Sequence, residues 1–221
     1  MMLSSEVMGE GISDWSRFER LTPFRVRDVL LVASHFDHYL LEESGYLAEI
    51  MQEEYSDLNL SQAPRIIHSP DARDALRLLR AREFDLVITM ARVGEMDVKA
   101  FGTEAKRVIE GLPVVMLSHN TRELATLSAG EGIDRIFVWT GDSRILLSIC
   151  KLLEDERNVE NDVRDGDVQV ILLIEDSRRF YSAYLPLLYT QLVNQTTRLM
   201  GEGGNLHEKL LRLRARAKIL L

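Results

Sequence analysis

Short apolar runs separated by longer amphipathic segments organise most of this chain. Four runs stand out: Val29–Ala33, Leu86–Thr89, Pro113–Leu117 and Arg135–Trp139, with a weaker one at Arg65–His68. None alternates strictly between apolar and polar residues. Each therefore reads as a strand covered on both faces, the pattern of inner strands in a parallel sheet. The segments between them have helical spacing. Asp71–Arg80 follows Ser69-Pro70, a cap with proline in the first turn, and sets Ala75, Leu78 and Leu79 on one face. Val98–Ile109 stops at Gly111 and Pro113, Thr121–Ser128 is short, and Ser143–Glu156 closes the series. The first crossover is the longest, Asp37–Leu60, with Leu40, Leu41, Leu47, Ile50, Met51 and Tyr55 available to pack.

Strand–helix alternation of this kind requires right-handed crossovers and helices on both faces of the sheet. The expected fold is α/β, a flavodoxin-like, doubly wound, five-stranded parallel sheet of order 2-1-3-4-5. Beyond it the composition changes. From Glu154 to Asp167 there are seven acids against two arginines, which reads as a helix end running into a solvated linker. Val168–Ile174 is then another buried strand, followed by a long apolar helix.

The two strand starts form an internal repeat. Leu30-Leu31-Val32 is followed seven residues later by Tyr39, and Leu172-Leu173-Ile174 by Tyr181 at the same offset. A last strand-like run, Lys218–Leu221, falls where Arg65-Ile66-Ile67 falls in the first copy. The expected organisation is an N-terminal extension (1–25), a complete domain (26–157), an acidic linker (158–167) and an incomplete second βαβ unit (168–221). Such a unit cannot cover its own apolar faces, so the chain reads as a segment of a longer protein. The helix Phe180–Val193 is apolar on most faces and carries Pro186, which is expected to interrupt or kink it. Its exposure suggests homodimerisation or swapping through residues 177–221.

Composition narrows the function classes. A net charge of −8 over 221 residues argues against nucleic acid or an anionic membrane as partner of the whole chain. The basic stretch Lys209–Lys218 is interleaved with leucines and reads as an amphipathic helix against protein. Cys150 is the only cysteine and sits in the apolar run Ile145–Ile149, so it reads as a packed thiol. Without a signal-like or membrane-spanning stretch, a cytoplasmic location is expected. Gly201–Gly204 follows a helix and lacks the lysine of a phosphate loop. His35 and His38 have metal-pair spacing without an evident third ligand.

The order of elements and the phrase Phe84–Val98 resemble the receiver domain of two-component response regulators over about residues 28 to 156. Pro113–Ser118 and Gly132–Trp139 resemble the fourth and fifth strands of that family. The resemblance implies phosphoryl transfer. Two acids after the first strand hold magnesium, and an aspartate ending the third strand attacks phosphorus. A Ser or Thr and a Lys ending the fourth and fifth strands contact the phosphoryl group. In this chain the acidic pair falls on Ala33 and Ser34, the nucleophile on Met90, the hydroxyl on Ser118 and the lysine on Trp139. Only Ser118 keeps a matching type. A thioether cannot attack phosphorus, so the resemblance implies a pseudo-receiver with no catalytic residues and no cofactor. Asp37 and Asp85 are the nearby acids. Asp37 is expected to serve the helix start, and Asp85, ahead of its strand, to point away from the site. His119 is expected at the site rim.

In the second unit Glu175-Asp176 falls where a receiver binds magnesium, although Asp176 or Ser177 equally suits the cap of the following helix. Magnesium is therefore implied only if that unit is completed. Phe137–Leu147 and Ile174–Tyr189 are also similar to the N-terminal regulatory region of bacterial proteins carrying a phosphoenolpyruvate synthase or pyruvate phosphate dikinase type nucleotide-binding region. The leading expectation is a non-enzymatic regulatory module acting through a protein partner or a downstream domain. The alternatives are a ligand-sensing domain and the regulatory part of such a kinase.

Overall fold

The computed structural model describes residues 19–43, 63–119, 129–130, 132–199 and 214–221. The helix expected at Thr121–Ser128, the Gly201–Gly204 loop and most of the Asp37–Leu60 and Lys209–Lys218 stretches lie outside them. Strands β1 (Asp28–Val32), β2 (Arg65–Ser69), β3 (Leu86–Met90), β4 (Val114–Ser118) and β5 (Arg135–Val138) form one parallel sheet. Its order is β2-β1-β3-β4-β5, the doubly wound flavodoxin-like arrangement the hydrophobic pattern predicts. Every residue of β3 and β4 is buried, as two-sided coverage requires.

Each face of the sheet has its own core. Leu30, Val32, Val87 and Met116 pack against α2 (Ala72–Ala81) and α3 (Val98–Val108). Val29, Leu31, Ile88, Leu117 and Phe137 pack on the other side, against Leu41 of α1 (His35–Glu43) and Ile145, Leu146 and Ile149 of α4 (Arg144–Gly166). The cap of α2 is Asp71, whose side chain accepts from Asp74 N–H, where the sequence pointed to Ser69-Pro70. Ser69 ends β2, and its hydroxyl turns to the Asp71 carbonyl and the Asp74 carboxylate. Gly102 lets α3 lie against the loop before β5. A Cβ there would stand 2.4 Å from the Gly132 carbonyl oxygen.

The solvated linker expected at 158–167 is instead the end of a helix. α4 runs 23 residues to Gly166, and Glu154, Asp155, Asn158 and Asp162 on it are buried. These side chains hold two flanking segments. Asp162, Asn158 and Glu154 accept the N–H groups of Thr22 (2.8 Å), Phe24 (2.9 Å) and Val26 (3.0 Å). Asn158 Nδ2 donates back to the Phe24 carbonyl at 2.8 Å. Four helical residues rise about 6 Å, and two extended residues span about 6.6 Å. Acceptors at i, i+4 and i+8 on a helix therefore match alternate amides of an extended strap running antiparallel to it.

The second segment is the end of the chain. Arg216 makes a two-pronged ion pair with Asp155 at 2.8 and 2.9 Å. Asp155 also accepts from the Tyr189 hydroxyl and from Ile219 N–H. Lys218 Nζ lies 2.7 Å from Asp162, with both groups fully buried. Burial by itself lowers the Arg216 pKa, but Asp155 outweighs it and holds the guanidinium firmly charged. Cys150, on the same helix, is fully buried, and burial together with the Glu154 charge pushes its thiol up to about 12.

Strands β6 (Val170–Leu172) and β7 (Lys218–Leu220) form a separate parallel pair joined by α5 (Arg178–Leu199). Pro186 does not interrupt α5. It removes a single ladder bond, and the helix is held on either side of it by the buried Leu185 and Tyr189. That same face of α5 lies along the open edge of β5. There Ser182 Oγ accepts from Val138 N–H at 2.9 Å, and the Tyr181 hydroxyl donates to the Ile136 carbonyl. Edge amide and carbonyl groups that would otherwise invite a foreign strand are thus satisfied by a helix.

Removing one partner of a buried ion pair leaves the other charge uncompensated. Asp162→Ala is therefore expected to lower the unfolding free energy by about 3–5 kcal/mol. The exposed neighbour Glu160, changed to Ala, should shift it by no more than about 0.5 kcal/mol. Urea titration of both variants checks this, and equal small effects would mean that the helix does not depend on its buried acids.

Candidate functional site

The C-terminal ends of β1, β3, β4 and β5 lie side by side because the register pairs Val32 with Thr89, Met90 with Leu117 and Ser118 with Val138. In open α/β sheets this edge, where the strand order reverses between β1 and β3, is where ligands bind. All five residues singled out from the sequence lie at or next to it. Ala33 follows β1 and is fully buried, its N–H donating to the Ser69 carbonyl at 3.0 Å. Met90 ends β3 with 2% of its surface exposed. Ser118 ends β4, is buried, and its carbonyl accepts Trp139 N–H at 2.9 Å. Trp139 follows β5 and is buried in the same core cluster as Ala33 and Met90. The apolar side chains of Ala33, Met90 and Trp139 therefore fill this edge.

Ser34 has a structural task. Its Oγ accepts Asp37 N–H at 3.1 Å, capping α1, and donates to Asp37 Oδ2 at 2.7 Å. The cap is thus Ser34, with Asp37 as its partner in the first turn. Asp37 Oδ1 also faces His119 Nε2 at 3.3 Å, and the His119 ring meets Trp139 edge-on at 5.7 Å. The Trp139 indole N–H is buried and has no hydrogen-bond partner among the described residues. The sequence placed His119 at the rim, but its pairing with Asp37, eighty-two positions away, depends on β1 and β4 both ending at this edge. Asp85 lies at the opposite end of the sheet, accepting from Arg27 and Asp28 N–H at 2.7 and 2.9 Å. It clamps the start of β1 and is remote from the site.

His35 and His38 meet a third histidine, His68 on β2. The His38 and His68 rings stack with centroids 3.9 Å apart, and His35 approaches His68 edge-on at 5.6 Å. His68 Nε2 must carry a proton, because it donates to the Ala33 carbonyl at 2.7 Å. The stacked geometry suits packing, and among the described residues no group of three His, Cys, Asp or Glu side chains converges as metal ligands.

In the second unit Glu175 folds back to accept Ser177 N–H at 2.9 Å, while Ser177 starts α5 by accepting Phe180 and Tyr181 N–H through its carbonyl. Ser177 is thus the cap. The acidic pair Glu175-Asp176 lies just beyond the end of β6, with Glu175 engaged at the start of α5. No third carboxylate among the described residues joins it.

Burial lowers the His38 pKa, the nearby His68 and His35 lower it further, and Glu42 opposes them. The unfolded chain therefore binds a proton more readily than the folded one. This contribution to stability is fully present above pH about 6.5 and is lost as pH falls through the folded value. Thermal melts from pH 7.5 down to 5 should show a decline that His38→Gln reduces. A profile unchanged by the substitution would rule out His38 as the source.

No protein-family model matches the chain, and no curated protein does. Solved structures similar to it include the signal receiver domain of an HD domain-containing protein from Pseudomonas fluorescens Pf-5 (23% identity, 63% of this chain and 94% of that one, TM-score 0.42). A CheY-like response regulator receiver domain from Methanospirillum hungatei JF-1 matches at 18% identity over 61% of this chain and 98% of that one, TM-score 0.47. The signal receiver domain of a histidine kinase from Syntrophus aciditrophicus matches at 22% identity over 59% and 91%, TM-score 0.43. The doubly wound sheet of this chain stands on its own strand order and register.

Proposed function

We propose that this chain is a regulatory signalling module whose first domain is a pseudo-receiver and acts by protein–protein contact. The observation that carries this reading is Met90, buried at the end of β3 where a receiver's phosphate-accepting aspartate would stand. Ala33 and Trp139 support it, because neither offers an oxygen for a metal or a charge for a phosphoryl group. Contact surfaces are available in the second unit. On β6 and just beyond, Val170, Leu172 and Ile174 point to one open face, with Leu172 63% and Ile174 85% exposed. Phe180, Tyr184 and Leu187 form an exposed apolar row on α5. The corresponding face of β1, carrying Leu30 and Val32, is covered by α2 and α3. This contrast favours a second receiver-like unit at 168–221 whose open face is covered by a downstream domain or by a partner, including a second copy of this chain. The likeness of Phe137–Leu147 and Ile174–Tyr189 to regulatory regions of phosphoenolpyruvate synthase-like kinases supports the downstream domain.

Incubation with acetyl phosphate and magnesium should leave no hydroxylamine-sensitive adduct of about 80 Da, the mass of a phosphoryl group on a carboxylate. Such an adduct lost on Asp37→Asn or Asp85→Asn would overturn the pseudo-receiver reading. Met90→Asp alone should also remain unphosphorylated in intact-mass spectra, since Ala33, Ser34 and Trp139 still withhold the metal and the cation. It should also melt at lower temperature than the parent, because it buries an unpaired carboxylate.

A further inference from the structure

We propose that the strap at residues 21–26 is a releasable latch shut by Lys218, so that strap and β7 leave α4 together. Thr22 carries the argument. It lies at φ 54°, in the left-handed region, although its side chain is β-branched. Such a residue is an outlier there, and strained backbone persists only where its surroundings over-determine it. Here the surroundings are a carboxylate and an ammonium group. Asp162 accepts the Thr22 N–H at 2.8 Å and its hydroxyl at 3.2 Å. Lys218 Nζ donates to the same hydroxyl oxygen at 3.1 Å and lies 2.7 Å from Asp162.

This triangle joins the strap, α4 and β7, and Lys218 is its β7 member. If β7 moves away, Asp162 loses the ammonium that balances it and Thr22 loses part of what holds it in a strained conformation. If the strap moves away, Lys218 loses an acceptor inside the protein. Burial and the Arg216 charge already lower the Lys218 pKa, against Asp155 and Asp162. A second contact joins the same two segments, because Arg214 donates to the Glu19 carbonyl at 3.2 Å and its own carbonyl accepts from Lys218 Nζ. Neither segment can leave alone without stranding a buried polar group.

The latch covers apolar surface. Leu21 and Val26 are buried, and Leu21 sits in the space that Gly166 leaves, where a Cβ would stand 2.7 Å from its Cδ2. Opening lets Thr22 relax to extended backbone and exposes these side chains. The strap leads into β1, so a partner that draws β7 from α4 also alters the entry to the central sheet. Such coupling is reciprocal, and anything that loosens the strap loosens β7. It is independent of the pseudo-receiver reading, since it uses no residue of the sheet's C-terminal edge.

Amide hydrogen exchange of the full chain tests the latch, because it resolves local opening from global unfolding. The Phe24, Val26 and Ile219 amides report directly, each donating to a side chain of α4. In the parent chain all three should share one opening free energy and one urea dependence. Arg216 pairs with Asp155. Arg216→Met should speed exchange at Phe24 and Val26 by the same factor as at Ile219, about a hundredfold for one broken buried ion pair. Thr22→Asn, whose side chain tolerates the left-handed region, should slow all three together. Separate openings in the parent chain, or acceleration by Arg216→Met confined to Ile219, would overturn the proposal. Slowing by Thr22→Asn confined to the strap would overturn it equally, and this variant decides the matter if Arg216→Met does not fold.

Discussion

A row of buried acceptors on one long helix holds this structure together. Glu154, Asn158 and Asp162 on α4 hydrogen-bond alternate amides of the strap at Thr22–Val26, and Asp155 and Asp162 neutralise Arg216 and Lys218. Two segments nearly two hundred positions apart are therefore fixed to the same helix. The match works because helix and extended chain have nearly commensurate repeats over four and two residues. A carboxylate is buried here only because each is given donors on several sides, and a single missing donor would make its burial unfavourable.

The organisation of the chain follows from that helix. α4 covers one face of the five-stranded sheet with Ile145, Leu146 and Ile149, then continues beyond it to carry the strap and β7. α5 closes the β5 edge through Ser182 and Tyr181, and Leu185, Tyr189 and Ile219 enter the same core as Phe137 and Leu41. The β6–β7 pair is thus packed on the first domain through one face, while Leu172 and Ile174 remain open on the other.

At the sheet edge, apolar and polar side chains sit next to each other. Ala33, Met90 and Trp139 join the core, and a few ångströms away Ser34, Asp37 and His119 form a connected polar chain. Packing has claimed the positions closest to the strand ends. The polar groups lie at the start of α1 and at the first residue after β4.

The sequence by itself determined the sheet. Apolar runs without alternation can be satisfied only when both faces are covered, and helical segments between them leave one economical strand order. All five strands lie within a residue or so of their apolar runs, and Ala33, Met90, Ser118 and Trp139 could be placed at their ends from spacing alone. Local patterns could not distinguish a solvated acidic stretch from a buried one. Whether Asp155 and Asp162 face water or Arg216 and Lys218 depends on partners about sixty positions away. The pairing of Asp37 with His119, the stacking of His38 on His68 and the capping of β5 by α5 are likewise contacts between elements remote in the chain. Periodicity records which face of an element is apolar, and only the tertiary structure decides which polar groups that packing brings within bonding distance.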